Sequence, residues 1–208
     1  MSSIEPCPDM VRSRLDECGF AVVKTENLDG FYAICNLLGK ISQTIEVRLN
    51  SEKDQYPYCA DAVPFHTDHP HVPIVAWYCN QQDVDNGANL LVDSREIVCK
   101  MSTAEQGALQ KIQLRVFHCD EYRSLLRNDP YHIYWLPVVI QEALKHADAL
   151  QSAAIASFYA ELVKQMQNTV SLKLNVGETL FVNNRIMLHG RHAIAQNSMR
   201  HLTRAYVV

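Results

Sequence analysis

The stretch Pro64-Phe65-His66-Thr67-Asp68-His69-Pro70 carries two side chains of the metal-ligand type, two residues apart. Successive side chains of an extended strand alternate between its faces, so His66 and Asp68 are expected on one side and Thr67 on the other. A single His-x-Asp pair is weak evidence for a metal site, because a surface strand can carry both residues as solvated polar groups. A third ligand from elsewhere in the chain is needed.

The third candidate is His189, which follows an apolar stretch and precedes Gly190 and Arg191. Two histidines and one carboxylate form the facial triad that binds non-haem Fe(II) and leaves positions open for a cosubstrate and oxygen. The sequence therefore predicts that His66, Asp68 and His189 form a metal site.

In these two stretches, the sequence resembles the Fe(II)/2-oxoglutarate-dependent dioxygenases. The resemblance is to the branch that includes taurine dioxygenase, gamma-butyrobetaine hydroxylase and trimethyllysine hydroxylase. Asn184–Arg191 resembles the distal-histidine motif of that branch, and Asn175–Phe181 resembles the Pro-Gly-Asp turn and strand before it. Arg200 and Arg204 follow His189 by 11 and 15 residues. The branch places arginines that face the 2-oxoglutarate carboxylates at this spacing.

The resemblance extends from about Gly19 to Val208 and implies a mainly β fold with flanking helices. The expected architecture is a double-stranded β-helix, or jelly-roll (cupin-like) barrel, with the metal site in its mouth. The implied activity is that of an oxidoreductase, a hydroxylase or desaturase acting on an unactivated carbon of a small polar metabolite, such as an amino acid or a natural-product intermediate. The implied cofactor is Fe(II), and the cosubstrates are 2-oxoglutarate and O2, with release of succinate and CO2.

The same resemblance assigns cosubstrate contacts. Arg200 is expected to bind the distal carboxylate of 2-oxoglutarate as a bidentate fork, with Arg204 near the metal-bound end. Asn89 stands where the family often has a threonine that binds a cosubstrate carboxylate. An amide can donate the same hydrogen bond, so Asn89 is included among the expected cosubstrate residues.

Substrate contacts are expected from the segment before the His-x-Asp pair and from residues beside the ligands. We include Tyr58, His69 and Arg191 as candidates, together with Tyr56 and Asp61 at the expected entrance. For the tyrosines, packing against the domain surface is the structural alternative.

Two alternatives stay open, and a third is disfavoured by the residues. The chain could be a cupin-type metal dioxygenase or isomerase that does not use 2-oxoglutarate, or a non-catalytic ligand-binding barrel. A zinc site built from His66, His69 and His71 is disfavoured, because Pro70 bends the chain between them.

Composition sets the class of protein. The 208 residues are 48% hydrophobic, and no linker, repeat or low-complexity tract divides them, so a single domain over residues 1–208 is expected. The net charge of -4 offers no basic field for nucleic acid or an anionic membrane. The sequence has no apolar run long enough to span a bilayer, and Met1–Pro6 does not resemble a signal peptide, so we expect a cytoplasmic protein. We expect it to act on a small-molecule substrate, and a homo-oligomer is compatible with the sequence. The seven cysteines form no Cys-x-x-Cys pair, which indicates reduced, mostly buried thiols.

Hydrophobic periodicity predicts the secondary structure. Helices are expected at 9–18 with Asp9 as N-cap, at 31–38, 94–101 and 104–111, and at 147–167 with a core stripe of Leu150, Ala154, Phe158, Leu162 and Met166. Strands are expected at 20–24, 45–49, 72–80, 88–93, 112–117, 131–139, 170–174, 179–182 and 203–208, and a charged connection at 120–129.

Overall fold

Most strands of the protein belong to two antiparallel sheets, as seen in a computed structural model that describes residues 7–50 and 58–208. The five-stranded sheet has the order β1-β11-β4-β13-β2, and the four-stranded sheet has the order β10-β5-β12-β3. Their strands are β1 (Phe20–Lys24), β2 (Ile41–Arg48), β3 (Val63–His66), β4 (Ile74–Gln81), β5 (Asn89–Asp93), β10 (Val170–Leu172), β11 (Glu178–Asn183), β12 (Met187–Arg191) and β13 (His201–Val207). The sheets remain open at their edges in the described residues, and the expected mainly β fold is confirmed.

The interior between the two sheets is built from alternate residues of the strands. In β4, Val75, Trp77 and Cys79 pack between the sheets, whereas Ala76 and Tyr78 pack toward helices on the other face. This is the period-two pattern of a strand that is covered on both sides. The metal-ligand candidates lie in the same interior.

Two helices cover the outer face of the five-stranded sheet: α1 (Pro8–Glu17) and α2 (Leu28–Leu38). The α1 helix begins at a proline, whose missing N–H costs nothing at a first helical position. The prediction of Asp9 as N-cap is therefore wrong, since Cys7 occupies that position. The α2 helix is capped by the Asn27 side chain, which accepts a hydrogen bond from the Gly30 N–H.

Four helices and two small hairpins cover the outer face of the four-stranded sheet. The helices are α3 (Ser94–Val98), α4 (Thr103–Lys111), α5 (Pro137–Leu144) and α6 (Ala149–Gln165), which a short 3-10 helix, Met166–Asn168, extends. The hairpins pair β6 (Gln113–Arg115) with β7 (Tyr122–Ser124) and β8 (Leu126–Asn128) with β9 (Tyr131–Ile133). The segment 120–129, expected to be a connection, thus contains two short strands.

The predicted strand 131–139 is wrong beyond Ile133, because α5 begins at Pro137. Proline is pre-organised for the first turn of a helix, and the apolar run that follows it resembles a strand in sequence alone. In α5, Val139 and Ile140 are buried while Val138 is 55% exposed, as expected for one helical face.

The long helix prediction is confirmed as α6, with a capping box formed by Asp148 and Gln151. Its core stripe is correct at its centre, where Ala154, Phe158 and Leu162 are buried. It is wrong at both ends, because Leu150 and Met166 are each 52% exposed.

Other expectations concern single residues. Tyr56 and Met1–Pro6 lie outside the described residues. All seven cysteines are free, but only Cys35 and Cys79 are buried, so the expectation of mostly buried thiols is wrong. None of the described helices combines the length and the apolar character that crossing a membrane requires.

Candidate active site

The three predicted metal ligands converge between the two sheets. His66 is the last residue of β3 and pairs in register with His189 of β12, so their rings lie 4.4 Å apart. Asp68 follows two residues beyond the end of β3. Its Oδ2 lies 3.4 Å from His189 Nε2, and its Oδ1 lies 4.0 Å from His66 Nε2. One ligand atom from each residue lies within 4.8 Å of the others, an arrangement that can hold one metal ion.

Hydrogen bonding orients the His66 ring. Its Nδ1 lies 2.9 Å from the Pro64 carbonyl oxygen, so Nδ1 carries the proton and Nε2 presents a lone pair toward Asp68. Burial, and then the neighbouring His189, lowers the pKa of His66 to about 4. The imidazole is therefore neutral near pH 7, as a metal ligand must be.

Asp68 is held as a carboxylate. Burial alone raises the pKa of this group, but the positive Arg204 and the neighbouring His189 oppose that effect, and the net pKa lies well below its ordinary value. The Arg204 Nη1 atom lies 3.6 Å from Asp68 Oδ1. The site thus offers one anionic oxygen ligand beside the neutral His66 ring and the ring of His189.

The ligand atoms fit a metal ion. Asp68 Oδ2 and His189 Nε2 are buried, and neither forms a hydrogen bond within the described part of the chain. Buried polar atoms without partners are costly, at roughly 1–3 kcal/mol each. A divalent cation among these atoms would satisfy them together, and the two-histidine, one-carboxylate set is the one that suits non-haem Fe(II).

The loop that carries Asp68 is fixed by buried hydrogen bonds. The Asp68 N–H donates to Asn184 Oδ1 at 2.8 Å, and Asn184 Nδ2 donates to the carbonyl oxygens of Val72 at 2.8 Å and His69 at 3.3 Å. Asn184 is fully buried. It therefore sets the path of the chain around the second ligand.

Thr67, between the two ligands, faces the other way, as its place in the sequence predicts. Its N–H donates to the Trp135 carbonyl oxygen at 2.7 Å, and its Oγ1 accepts from the Trp135 N–H at 2.9 Å. This pair of bonds joins the ligand loop to the segment before α5.

Arg200 lies in a buried polar cluster with Asn89 and Gln82. Its guanidinium donates to Asn89 Oδ1 at 3.2 Å through Nη2 and to Gln82 Oε1 at 3.3 Å through Nε. Asn89 Nδ2 is buried and makes no hydrogen bond to any described group. Arg200 and His189 also line one narrow cavity of about 20 Å³. A guanidinium and an amide donor therefore converge beside the metal ligands, on residues predicted to bind 2-oxoglutarate.

Gly87 allows Arg200 to take this position. Its φ is +82°, in the left-handed region, and a Cβ there would lie 2.9 Å from Arg200 Cδ. A side chain at this position would both strain the turn and push the arginine.

A larger cavity, of about 960 Å³, opens on the Asp68 side of the ligands. His66, Asp68 and Arg204 line this cavity. Its remaining wall combines polar and apolar side chains: Ser42, Gln43, Ile45, Thr67, His69, His71, Val72, Phe117, His118, Tyr134, Leu136, Val138, Tyr206 and Val208. The volume suits a small organic molecule.

The predicted substrate residues occupy different places. His69 lines the large cavity. Tyr58 lines a separate polar cleft along β2. Arg191 lines the narrow cavity with Arg200, and its Nη2 donates to the carbonyl oxygens of Cys59 at 2.9 Å and Asp61 at 2.7 Å. The structure thus brings His69 alone among these three to the large cavity.

His69 and His71 do not join the ligand cluster. Their ring centroids lie 5.2 Å apart with the rings tilted by 33°, and His71 Nε2 lies 2.7 Å from Glu121 Oε2. Within the described residues, the cluster of metal-ligand type is His66, Asp68 and His189.

Asn184 and Tyr206 contact Asp68 but carried no predicted role. Asn184 lies within the distal-histidine motif, and Tyr206 is the second residue after Arg204. Residues two apart on a strand share a face, so the sequence could have predicted that Tyr206 lies beside Arg204 on the same face. The contacts of Asn184 were not, because they span 116 residues of chain.

The model of the Taurine catabolism dioxygenase TauD, TfdA family matches residues 123–206. This match spans 84 of the 208 residues. The matched part includes His189, Arg200 and Arg204, whereas His66 and Asp68 lie before it. These two candidate ligands lie near His189 because β3 pairs with β12.

Solved structures share this fold over 97% of the chain. Asparagine oxygenase (AsnO) matches with a TM-score of 0.76 and 13% identity, over 78% of its own length. The non-heme iron oxygenase OrfP in complex with Fe and alpha-ketoglutaric acid matches with a TM-score of 0.75 and 13% identity, also over 78%. OrfP with Fe, succinate and (3S)-hydroxy-L-Arg gives 0.75 and 14%, over 79%. No curated protein matches the sequence. The expected jelly-roll architecture of TauD-like oxygenases is confirmed.

Proposed function

We propose that this protein is an Fe(II)/2-oxoglutarate-dependent dioxygenase that hydroxylates, or desaturates, an unactivated carbon of a small polar metabolite. The observation that carries this proposal is the convergence of His66, Asp68 and His189 beside a buried guanidinium, Arg200. A metal triad alone would fit several metalloenzyme classes. The triad together with a buried arginine and amide favours a cosubstrate that chelates the metal and ends in a second carboxylate.

The proposed metal ligands are His66 and His189, through their Nε2 atoms, and Asp68, through Oδ2. The ionised Asp68 carboxylate contributes one negative charge to this set, and the neutral His66 ring contributes none. When bound, Fe(II) supplies the oxygen-activating chemistry that amino-acid side chains lack. The protein residues supply orientation, a low-dielectric interior and the exclusion of water.

Arg200 and Asn89 are proposed to bind the distal carboxylate of 2-oxoglutarate. Arg200 donates to neutral amide oxygens of Asn89 and Gln82. A carboxylate is a stronger acceptor for a guanidinium than an amide oxygen, because both partners are then ionised. Exchange of those amide contacts for a carboxylate would therefore be favourable, and Asn89 Nδ2 could donate to the same group.

Arg204 is proposed to act at the other end of the cosubstrate. Its guanidinium lies 3.6 Å from Asp68 Oδ1 and belongs to the wall of the large cavity. This places a fixed positive charge beside the metal ligands. It favours binding of a negatively charged group there and keeps Asp68 ionised.

The proposed substrate site is the large cavity. Candidates are amino acids or similar small metabolites, because solved structures of similar fold contain 3-hydroxyasparagine in asparagine oxygenase and hydroxy-arginines in OrfP. His69 is the proposed polar contact in this cavity. Tyr58 and Arg191 would contact a substrate only if that substrate extends beyond the large cavity.

The overall hydroxylation balances as R–H plus O2 plus 2-oxoglutarate giving R–OH, succinate and CO2. One oxygen atom enters the product and the other enters succinate. The two electrons that R–H loses and the two released by decarboxylation reduce O2 together, so no further reductant is needed.

We also propose that residues 1–208 form a single domain. The seven free thiols suit a reducing compartment, and we therefore propose a cytoplasmic location.

The experiment is turnover of 2-oxoglutarate with Fe(II) and O2 against a panel of free amino acids, with succinate and oxygen consumption measured together. We expect at least one amino acid to stimulate equal amounts of both. Asp68→Ala should abolish the reaction, and Asp120→Ala, which removes a carboxylate whose side chain is 96% exposed, should leave it unchanged. Oxygen consumption without succinate would indicate a metal dioxygenase of another kind. Failure of 2-oxoglutarate and Fe(II) to bind at all would contradict the proposal.

A further inference from the structure

Asp68 has a second polar neighbour on β13 besides Arg204. The Tyr206 hydroxyl donates a hydrogen bond to Asp68 Oδ1 at 3.1 Å, although the two residues are 138 positions apart in the chain. Tyr206 is half-buried and lines the large cavity. Its phenol therefore reaches from the proposed substrate site to a proposed metal ligand.

The two oxygens of Asp68 have different surroundings. Oδ1 accepts from the Tyr206 hydroxyl and lies 3.6 Å from the Arg204 guanidinium. Oδ2 faces His189 Nε2 at 3.4 Å and makes no hydrogen bond within the described chain. One oxygen is thus engaged by the protein, and the other points toward the proposed metal position.

The side chain of Tyr206 also supports Arg204. The Arg204 Cζ atom lies 4.8 Å from the centre of the Tyr206 ring, a cation–π contact. Arg204 and Tyr206 are two residues apart and therefore lie on the same face of β13, so one strand brings both groups to Asp68. The ring and the hydroxyl of Tyr206 therefore act on the same carboxylate, the ring through Arg204 and the hydroxyl directly.

We propose that Tyr206 is a positioning residue that reserves Asp68 Oδ1, so that Asp68 binds the metal through Oδ2 alone. This inference rests on the proposed function. A carboxylate can bind a metal through one oxygen or through both, and the second mode would occupy a coordination position that a chelating cosubstrate needs. Tyr206 would thereby protect the binding of 2-oxoglutarate more than the binding of the metal.

The test uses Tyr206→Phe, which removes one oxygen and keeps the ring over Arg204. Tyr206→Leu removes both the hydroxyl and the ring. Tyr134→Phe is the matched control, because Tyr134 lines the same cavity and its hydroxyl accepts from the Phe117 N–H instead of contacting Asp68. Each protein is titrated with Co(II) as the metal probe, and then the Co(II)-loaded protein is titrated with 2-oxoglutarate under anaerobic conditions.

For Tyr206→Phe we expect the affinity for 2-oxoglutarate to fall by about 10-fold, the low end of what losing a partner of a metal ligand costs in metal affinity or activity. The Co(II) affinity should change much less, because the freed Asp68 Oδ1 can itself bind the metal. The visible Co(II) spectrum should change even before 2-oxoglutarate is added. Tyr206→Leu should show a larger loss, and Tyr134→Phe should resemble wild type in both titrations. A Tyr206→Phe protein with wild-type spectrum and cosubstrate affinity would overturn the inference.

A measurement on the wild-type protein covers the case in which Tyr206→Phe does not fold. The infrared difference spectrum between Co(II)-loaded and metal-free protein reports the separation of the two carboxylate stretches. We expect the wide separation of a carboxylate bound through one oxygen, and a narrow, two-oxygen separation would overturn the inference. Wild-type protein that binds neither Co(II) nor Fe(II) would instead contradict the proposed function itself, and this inference with it.

Discussion

Asn184 accepts a hydrogen bond from the backbone N–H of Asp68 at 2.8 Å, and so a residue five positions before one proposed ligand fixes the backbone of another. A turn and the first residues of β12 connect Asn184 to His189. The same side chain also donates to Val72 and His69. The two halves of the metal site, which are far apart in sequence, are therefore joined through a single amide.

We predict that Asn184→Ala weakens metal binding by about 10-fold, because positioning partners of metal ligands typically contribute 10–100-fold in affinity. It should also lower the free energy of unfolding by about 2–4 kcal/mol, since several buried hydrogen-bonding groups lose their partner. Isothermal titration with Co(II) and chemical denaturation measure the two effects. Asn183→Ala is the control, because Asn183 Nδ2 donates to Leu15 O at 3.4 Å, away from the ligands. Equal metal affinities in both variants would contradict the role of Asn184.

Arg200→Lys is expected to raise the concentration of 2-oxoglutarate needed for half-saturation by at least about 10-fold, because lysine cannot reproduce a two-point contact with a carboxylate. Metal affinity should stay near wild type, since the hydrogen bonds that Arg200 donates to Asn89 and Gln82 hold it at the proposed cosubstrate site. Arg185→Lys, at an exposed arginine, serves as the control. An unchanged requirement for 2-oxoglutarate in Arg200→Lys would refute the assignment.

Gly87→Ala should weaken 2-oxoglutarate binding without touching any proposed ligand. The new Cβ would lie 2.9 Å from Arg200 Cδ, and the positive φ of +82° would add a cost of about 1 kcal/mol. Gly107→Ala is a matched control, because a Cβ at Gly107 meets nothing within 4 Å. Since Gly107 lies within α4, that substitution should stabilise the protein by about 0.5–1 kcal/mol. The prediction fails if both variants bind 2-oxoglutarate equally well.

His132 is expected to make stability depend on pH away from the active site. Burial, and then Arg185 and Arg127, lowers the pKa of His132 from 6.5 to about 4. Below about pH 6.5 the unfolded chain binds a proton that the folded protein refuses until about pH 4, so the free energy of unfolding falls across that window as the pH decreases. Above pH 6.5 both states are neutral and this contribution is constant.

His132→Gln should reduce that dependence, as measured by urea denaturation of the metal-free protein at several pH values between 4 and 7.5. The pKa of His66 is also lowered to about 4, so it contributes in the same direction to both proteins. The difference between the two curves therefore isolates His132. Parallel curves over the whole window would contradict the prediction.

The sequence predicted the metal triad because its three ligands are chemically distinctive and two of them are close together in the chain. Asp68 lies beyond the end of β3 and not within an extended strand, yet it still reaches the cluster. The arginine spacing predicted Arg200 and Arg204 in the same way. These features depend on residue type and on short distances along the chain, which a sequence displays directly.

Other features depend on contacts that the sequence does not display. The hydrogen bond from Tyr206 to Asp68 needs β13 to lie opposite the ligand loop, and the helix α5 is an apolar run that also fits a strand until its packing is known. The helical period in the sequence also predicts that Leu150 and Met166 are buried. Both are exposed, because they lie beyond the surface that the helix covers, and the sequence does not display where that surface ends.

The central claim is that His66, Asp68 and His189 hold one ferrous ion beside the groups that bind 2-oxoglutarate. Anaerobic titration of the purified protein with Fe(II) and 2-oxoglutarate tests it most directly, through the weak visible charge-transfer band of the chelate. We predict that the band appears in the wild-type protein, saturates at one ion per chain and is absent from a folded His189→Ala variant. A wild-type protein that shows no band, or a His189→Ala variant that shows the same band, would contradict the account.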